Sequence, residues 1–518
     1  MATEVTSAKK ISESSKSFSQ LWTRPGFWPT LALIGLLALG LALRLVDLTD
    51  PPFDFHPTRQ FRGAMVARSL YYSVLPSSDP NIQATALGMR DQVVEYEPPF
   101  LEAIVVAGYL LTGGENLWVA RIVTSVSWVL GGLVLYLLAK RTVGIGGALI
   151  ATAYYLFLPF SVYASRSFQP DPFMVMWVLF TMYAVYRWSE ERTWKWAITT
   201  AVLAAVSVLV KVVAAYLIGG MMVGVVLATL PIREALRDRQ VWAMGLIMVV
   251  FPGVYYIFGI SGSSSNYLEN WVFALMPLIL EPAFYVRWMN RLNSLIELAP
   301  LMAGAAGVLI AQGRLRAMLI GLWVGYIIYG LTLPHQTTTH SYYHIQLVPI
   351  VALSLAPVAQ LVVDRVWQEK RFWRLAFIGV MALTIAYPAW IARSTMLGED
   401  HSHEPPYWES IGEIVPDDGK TMGLVQQYGH LLIYYGWENV KLWPVTGEQR
   451  LAELRGAEEV EFVTEFKDRT EGVDYFLVTA FGQLNQQEQL KDYLYTNFPI
   501  LDEGNGYVLF DLRGQEPK

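Results

Sequence analysis

The feature that most constrains this chain is the recurrence of apolar runs about as long as a bilayer is thick. The first, Phe27 to Val46, is long enough to cross roughly 30 Å of hydrocarbon as a helix. It ends in LRLVDLTDPPFD, with none of the small-x-small pattern that follows the shorter core of a cleavable signal peptide, so it reads as a retained first span. Further apolar segments run over 117–139, 145–164, 172–187, 196–210, 212–230, 241–260, 292–313, 317–333, 345–363 and 374–393. The expected fold class is therefore a polytopic α-helical membrane protein of about 11 transmembrane helices. Composition agrees: 54% of residues are hydrophobic and 16% charged, more apolar surface than one soluble core requires.

Short connections fix an orientation. With the N-terminal tail 1–26 in the cytoplasm, Lys140 and Arg141, then Arg187, Arg192 and Lys195, then Arg233, Arg237 and Arg239, then Arg314 and Arg316, then Arg365, Lys370, Arg371 and Arg374 all fall on the inner side. The opposite face then carries the outer loop 48–116, SRSFQPDP, SGSSSNYLENW, LPHQTTTHSYYH and the chain after Arg393. The membrane domain is expected over 27–396. Residues 397–518 turn polar, with strand-like DYFLVTA and GYVLFDL between helical pieces, and read as a small extracytoplasmic α/β soluble domain. Its glycines lack the strand–GxGxxG–helix context of a nucleotide loop.

The net charge of −6, with no basic stripe, excludes a nucleic-acid partner, and the absence of cysteine excludes disulfides, thiolate catalysis and thiolate metal sites. The ionisable residues near the apolar segments are more telling. Asp54, His56, Arg59 and Arg62 lie within nine residues just beyond the first span, a pattern that can set a proton acceptor beside an anion site, and that reads equally as a solvated loop with snorkelling arginines. Arg166 and Asp171 flank a helix start, where Asp171 is either functional or an N-cap. Lys211 stands alone in LAAVSVLVKVVAAYL, facing a cavity or a partner unless it snorkels. His335, His340 and His344 fall within ten residues beside Tyr342 and Tyr343, without the spacing of a metal motif.

The passage LALRLVDLTDPPFDFHPTRQFRGAMVARSLYY, then EYEPPFLEAIVVAGYLLTGGENLWVARIVTSVSWVLGGLVLYLLAKRTVG, then YYLFLPFSVYASRSFQPDPFMVMWVLFTMYAVYRW resembles the GT-C superfamily of membrane glycosyltransferases. The likeness is to its protein O-mannosyltransferase and aminoarabinose-transferase branch. It covers roughly residues 30–230, and HSYYHIQLVPIVALSLAP is a looser match.

The resemblance implies a hexosyl or pentosyl transferase that uses a polyprenyl-phosphate-linked sugar and a lipid, glycan or protein acceptor. Asp54 takes the position of the catalytic acid in the first outer loop, Asp171 that of a second acid, and Lys211 that of a lysine between paired helices. Where many relatives have a double acid, this chain has Asp54, Phe55, His56, so His56 either replaces the second acid or ligates a divalent metal with Asp54. The phosphate-binding lysine of the aminoarabinose branch is Glu97 here, which leaves Arg59, Arg62, Arg166 or Lys211 to hold the phosphate; His56, Glu97, His335, His340, Tyr343 and His344 are acceptor or metal candidates.

Topology points independently to the same donor. Nucleotide sugars are cytosolic, whereas these groups lie on the far face, and a lipid-borne donor resolves the difference. The chemistry expected is a single inverting displacement with Asp54 as base. The rival readings are a transporter or lipid flippase, and a non-catalytic anchor for the C-terminal domain.

Overall fold

The computed structural model describes residues 26–94, 96–259, 268–457 and 460–513. The tail 1–25 and part of the expected connection SGSSSNYLENW (261–267) lie outside them. Six helices are long and apolar enough to cross a membrane: 27–44, 118–142, 239–258, 313–332, 341–368 and 371–398. Two bent pairs raise the number to eight if each is one span: 145–157 with 159–165, bent by 61°, and 269–280 with 282–296, bent by 104°.

The expected eleven exceeds this number for physical reasons. The apolar helices at 194–210, 214–229 and 298–310 have only 17, 16 and 13 residues, and at 1.5 Å per residue they fall short of a 30 Å hydrocarbon core. Helix 170–191 is long enough but carries Asp171 in its first turn and Arg187, Glu190 and Glu191 near its end. The expected single span 292–313 is broken at Glu297, whose left-handed backbone (φ 65°) separates helix 282–296 from helix 298–310.

Small residues let some helices meet backbone to backbone. A Cβ on Gly220 would lie 2.2 Å from the Gly321 carbonyl, one on Gly321 2.1 Å from the Gly220 carbonyl, and one on Gly325 2.3 Å from the Tyr216 carbonyl. Helices 214–229 and 313–332 thus pack through paired glycines four residues apart, as membrane helices do where dispersion replaces the hydrophobic effect. Arg44, fully buried in the last turn of the first span, donates to Ser165 Oγ (2.6 Å), Gly40 O (2.8 Å) and Leu156 O (3.0 Å). These bonds satisfy its charge and pin the span to the bent pair 145–165.

The connection after the first span is ordered, with helices at 57–74, 80–88 and 100–112. Beyond the last span, strands β1 (421–424), β2 (441–442), β3 (475–478), β4 (500–504) and β5 (507–511) form one sheet in the order β2-β1-β3-β5-β4. β1 is parallel to β2 and β3, while β5 is antiparallel to β3 and β4. Trp443, Phe466, Phe476 and Leu494 build its separate core.

This domain docks on the 57–74 helix. Arg68 pairs with Glu115 (2.6 Å), donates to the Tyr434 carbonyl, and lies between the Tyr434 and Trp437 rings at 3.7 and 4.3 Å. The domain therefore sits at the end of the bundle that carries the first connection.

Candidate active site

Asp54 is held by three side chains from three parts of the chain. Arg121 reaches its Oδ1 at 3.2 Å and Arg166 its Oδ2 at 3.7 Å, and none of the three side chains is more than 8% exposed. Arg121 is itself aimed by the loop it binds, donating to the carbonyls of Asp47 (3.0 Å), Leu48 (3.1 Å) and Asp50 (2.7 Å). Gln60, with no exposed surface, donates to Phe55 O at 2.9 Å and Asp54 Oδ1 at 3.3 Å and accepts from Phe168 N at 2.9 Å. One amide thus bolts the Asp54 loop to the segment leading into Asp171. Asp54 Oδ2 is buried and accepts no hydrogen bond.

Asp171 lies in the first turn of helix 170–191 and pairs with Lys211, whose Nζ is 2.7 Å from both carboxylate oxygens. Lys211 is extended (φ −160°, ψ 121°), and marks the break between helices 194–210 and 214–229. That break carries the ammonium to within 5.2 and 5.3 Å of the Tyr342 and Tyr343 rings. The helix N-cap reading of Asp171 does not hold, since Gln169 is the cap and the Asp171 side chain serves Lys211.

Arg59 donates to the Tyr342 hydroxyl at 3.0 Å, while Arg62 donates to the Val94 carbonyl and lies 5.6 Å from the Tyr96 ring. A cavity opens between them, lined by Arg59, Arg62, Glu97, Asp171 and Lys211. Three cationic side chains, Arg59, Arg62 and Lys211, share this cavity with the carboxylates of Glu97, Glu102 and Asp171, so it offers guanidinium and ammonium donors to an oxyanion without a surplus of positive charge.

His56 caps the 57–74 helix from the left-handed region (φ 49°), with Nε2 2.8 Å from Ser341 Oγ and its ring 4.8 Å from Tyr342. Its ring stacks at 6.3 Å on His340. Burial, with Arg59 next, pushes His56 down to about 4 and His340 to about 3. Both imidazoles are neutral at physiological pH.

The structure thus gathers Asp54, His56, Arg59, Arg62, Glu97, Asp171, Lys211, His340 and Tyr343 at one end of the bundle. Arg166 stands behind Asp54, donating to Asp47 O at 2.8 Å, and is not on the cavity wall. His335 packs 6.2 Å from Trp271. His344 turns into the bundle, where Tyr326 Oη (2.6 Å) and Thr337 O (2.7 Å) occupy both its ring nitrogens.

A metal on Asp54 and His56 does not fit these surroundings, because Asp54 faces two guanidiniums and His56 faces Ser341. Among the described residues no group of three or more His, Cys, Asp or Glu could hold a metal ion.

Sequence reasoning missed Arg121 and Gln60. Arg121 had a signal, a lone charge at the start of the apolar run 118–142. Gln60 had none, since its role depends on the distant Phe168 amide.

The architecture defines a class first. The chain has the fold of the GT-C membrane glycosyltransferases: it aligns with ArnT from Cupriavidus metallidurans in the apo state at a TM-score of 0.56 and 17% identity, over 93% of this chain and 98% of that one. ArnT bound to undecaprenyl phosphate aligns at 0.53 and 17%, over 94% and 98%. The archaeal oligosaccharyltransferase AglB from Archaeoglobus fulgidus, in complex with an inhibitory peptide and a dolichol-phosphate, aligns at 0.57 and 12%, over 94% and 74%. Arabinofuranosyltransferase AftD from Mycobacteria aligns at 0.52 and 15%, over 95% and 40%.

The family model of dolichyl-phosphate-mannose-protein mannosyltransferase matches residues 96–256. No curated protein matches the sequence.

Proposed function

We propose that the protein transfers a sugar from a polyprenyl-phosphate-linked donor to an acceptor hydroxyl, at the outer face of a cytoplasmic-type membrane. The observation that carries this reading is the meeting of Arg59, Arg62 and Lys211 on one cavity, next to the 168–171 segment that Gln60 ties to Asp54. Neighbours of the same fold are complexed with undecaprenyl phosphate and dolichol-phosphate, which supports the same donor class here.

The three cations hold the phosphate and stabilise the charge that grows on it as the bond to the sugar breaks. Asp54 takes the proton of the acceptor hydroxyl as that oxygen attacks the anomeric carbon from the opposite face. Inversion follows from the single displacement. Phosphate is already a good leaving group, so no acid is needed to protonate it, unlike the alkoxide released in glycoside hydrolysis. Arg121 and Arg166 hold Asp54 in place.

In this reading the short apolar helices also cross, in a bilayer thinned around them, giving about eleven spans. The basic inner turns support a site and a domain 397–518 on the outer side. Incubating the purified protein with a radiolabelled polyprenyl-phosphate sugar and a membrane extract tests it. Covalent label in an acceptor is expected, and label that crosses the bilayer without transfer would instead support a lipid flippase.

A further inference from the structure

The C-terminal domain approaches the candidate site through Gln426 to His430, where the backbone is unusual. Gln427 (φ 53°), Tyr428 (φ 57°) and Gly429 (φ 71°) are left-handed in succession. Elsewhere among the described residues, each non-glycine residue of positive φ stands alone: Asp47, His56, Arg192, Glu297 and Trp437. In this region Cβ crowds the following carbonyl, so residues with side chains occupy it singly unless their surroundings hold them there. Strain of this kind gathers where a side chain has to be aimed.

The turn is anchored on both sides. Gln426 donates to Thr479 O at 2.9 Å, at the end of β3. Gln427 accepts from the Thr58 hydroxyl at 2.5 Å, and His430 Nδ1 lies 3.0 Å from Thr58 O. Thr58 immediately precedes Arg59 on the cavity wall. Between these anchors the ring of Tyr428 is held out, 47% exposed, while Tyr342 and Tyr434 nearby are 4% and 3% exposed. Burial holds its phenol pKa above the usual value, with Glu448 and Tyr342 adding to the rise.

A turn that exposes a flat ring next to the residue bonded to Thr58, itself adjacent to Arg59 of the cavity wall, matches one ligand chemistry well. A pyranose or furanose offers an apolar C–H face to the ring and hydroxyl donors to its phenol oxygen. We propose that Tyr428 is a specificity-determining residue that stacks on a sugar ring at the water-facing rim of the site. The C-terminal domain thereby selects a sugar-bearing substrate. This rests on the transferase reading above, and the ring belongs either to the donor's sugar or to a glycosylated acceptor.

The test uses the full-length protein in detergent and saturation-transfer NMR with methyl glycosides of the common hexoses, N-acetylhexosamines and pentoses. Wild type is expected to transfer saturation to at least one of them, Tyr428→Ala to weaken that binding by about three- to tenfold, and Tyr428→Phe and Tyr428→Trp to keep it. Tyr428→Gly separates binding from folding: glycine takes the left-handed turn without strain, so it melts no lower than wild type yet loses the glycoside. During turnover, Tyr428→Ala raises KM for a glycoside acceptor if the ring holds the acceptor, or KM for the donor lipid if it holds the donor's sugar. Either split supports the stacking role. Wild type that binds none of the glycosides, or an alanine variant that binds them as wild type does, overturns it. Because the NMR measurement needs no turnover, its failure is distinct from a failure of sugar transfer.

Discussion

Neutralising the Asp171–Lys211 pair one side at a time, and then together, separates its structural work from its proposed work on the donor. Lys211 is 5% exposed and contacts both Asp171 oxygens at 2.7 Å, so Lys211→Met strands a buried carboxylate and should destabilise the protein by about 3–5 kcal/mol. Asp171→Asn strands the ammonium instead, with the Tyr342 and Tyr343 rings still in reach, and should fall at the low end of that range.

The double variant removes both charges and should recover to within about 1 kcal/mol of wild type. Donor binding should not recover with it. A charge-assisted phosphate contact is worth about 1.5–3 kcal/mol, so both variants without Lys211 should bind polyprenyl phosphate roughly ten- to a hundredfold more weakly. Stability is read by intrinsic fluorescence melting, because the chain has 18 tryptophans and no cysteine for a thiol dye. Full recovery of donor affinity in the double variant would refute a phosphate role for Lys211, and a Lys211→Met protein as stable as wild type would refute the buried pair.

Other outcomes follow from the same structure. His56 and His340 are held neutral well below the ordinary 6.5, so acidification drives protons onto the unfolded chain first. The melting temperature should be flat above pH 6.5 and fall between pH 6.5 and about 3, less steeply in His340→Gln; an equal slope in that variant would contradict the assignment. Arg68→Met strands Glu115 and loses the two ring contacts with the C-terminal domain, costing about 3–5 kcal/mol. It should expose 399–403 to limited proteolysis, and an unchanged digest would show that docking does not depend on Arg68. Gly321→Ala places a Cβ 2.1 Å from the Gly220 carbonyl and should cost about 1–3 kcal/mol on melting, whereas Gly35→Ala, with nothing within 4 Å, should be silent.

Much of this site could be read from residue types and their order. Asp54, Arg59, Asp171 and Lys211 each stand out as ionisable groups beside or within apolar runs, where bulk solvation is not available and a partner is needed. The partner of Lys211 could not be read, because the helices around it meet only in the fold, and the lysine reaches Asp171 through a backbone break at 210–214 that apolar periodicity conceals. Arg166 and His344 were misplaced for the same reason, since spacing gives the depth of a side chain and not the direction it faces. Length and composition alone support six to eight spans, because apolar content outlasts helix length at 298–310 and 214–229 and the single residue Glu297 turns the chain. The polar C-terminal segment was legible as an α/β unit from its strand alternation, but nothing local announced the left-handed turn at 427–429.

Asp54→Asn is the most direct test of the central claim. The amide keeps the size of the carboxylate but cannot take up the acceptor's proton, so the account predicts that polyprenyl phosphate binds as to wild type while sugar transfer falls by about 10²–10⁴-fold. Arg121 and Arg166 lose their counter-ion in this variant, so its fluorescence melt has to be run alongside to establish that it is folded when assayed. Loss of transfer in a folded, donor-binding Asp54→Asn protein is the predicted result. Transfer within a few-fold of wild type would contradict the assignment of Asp54 as the base.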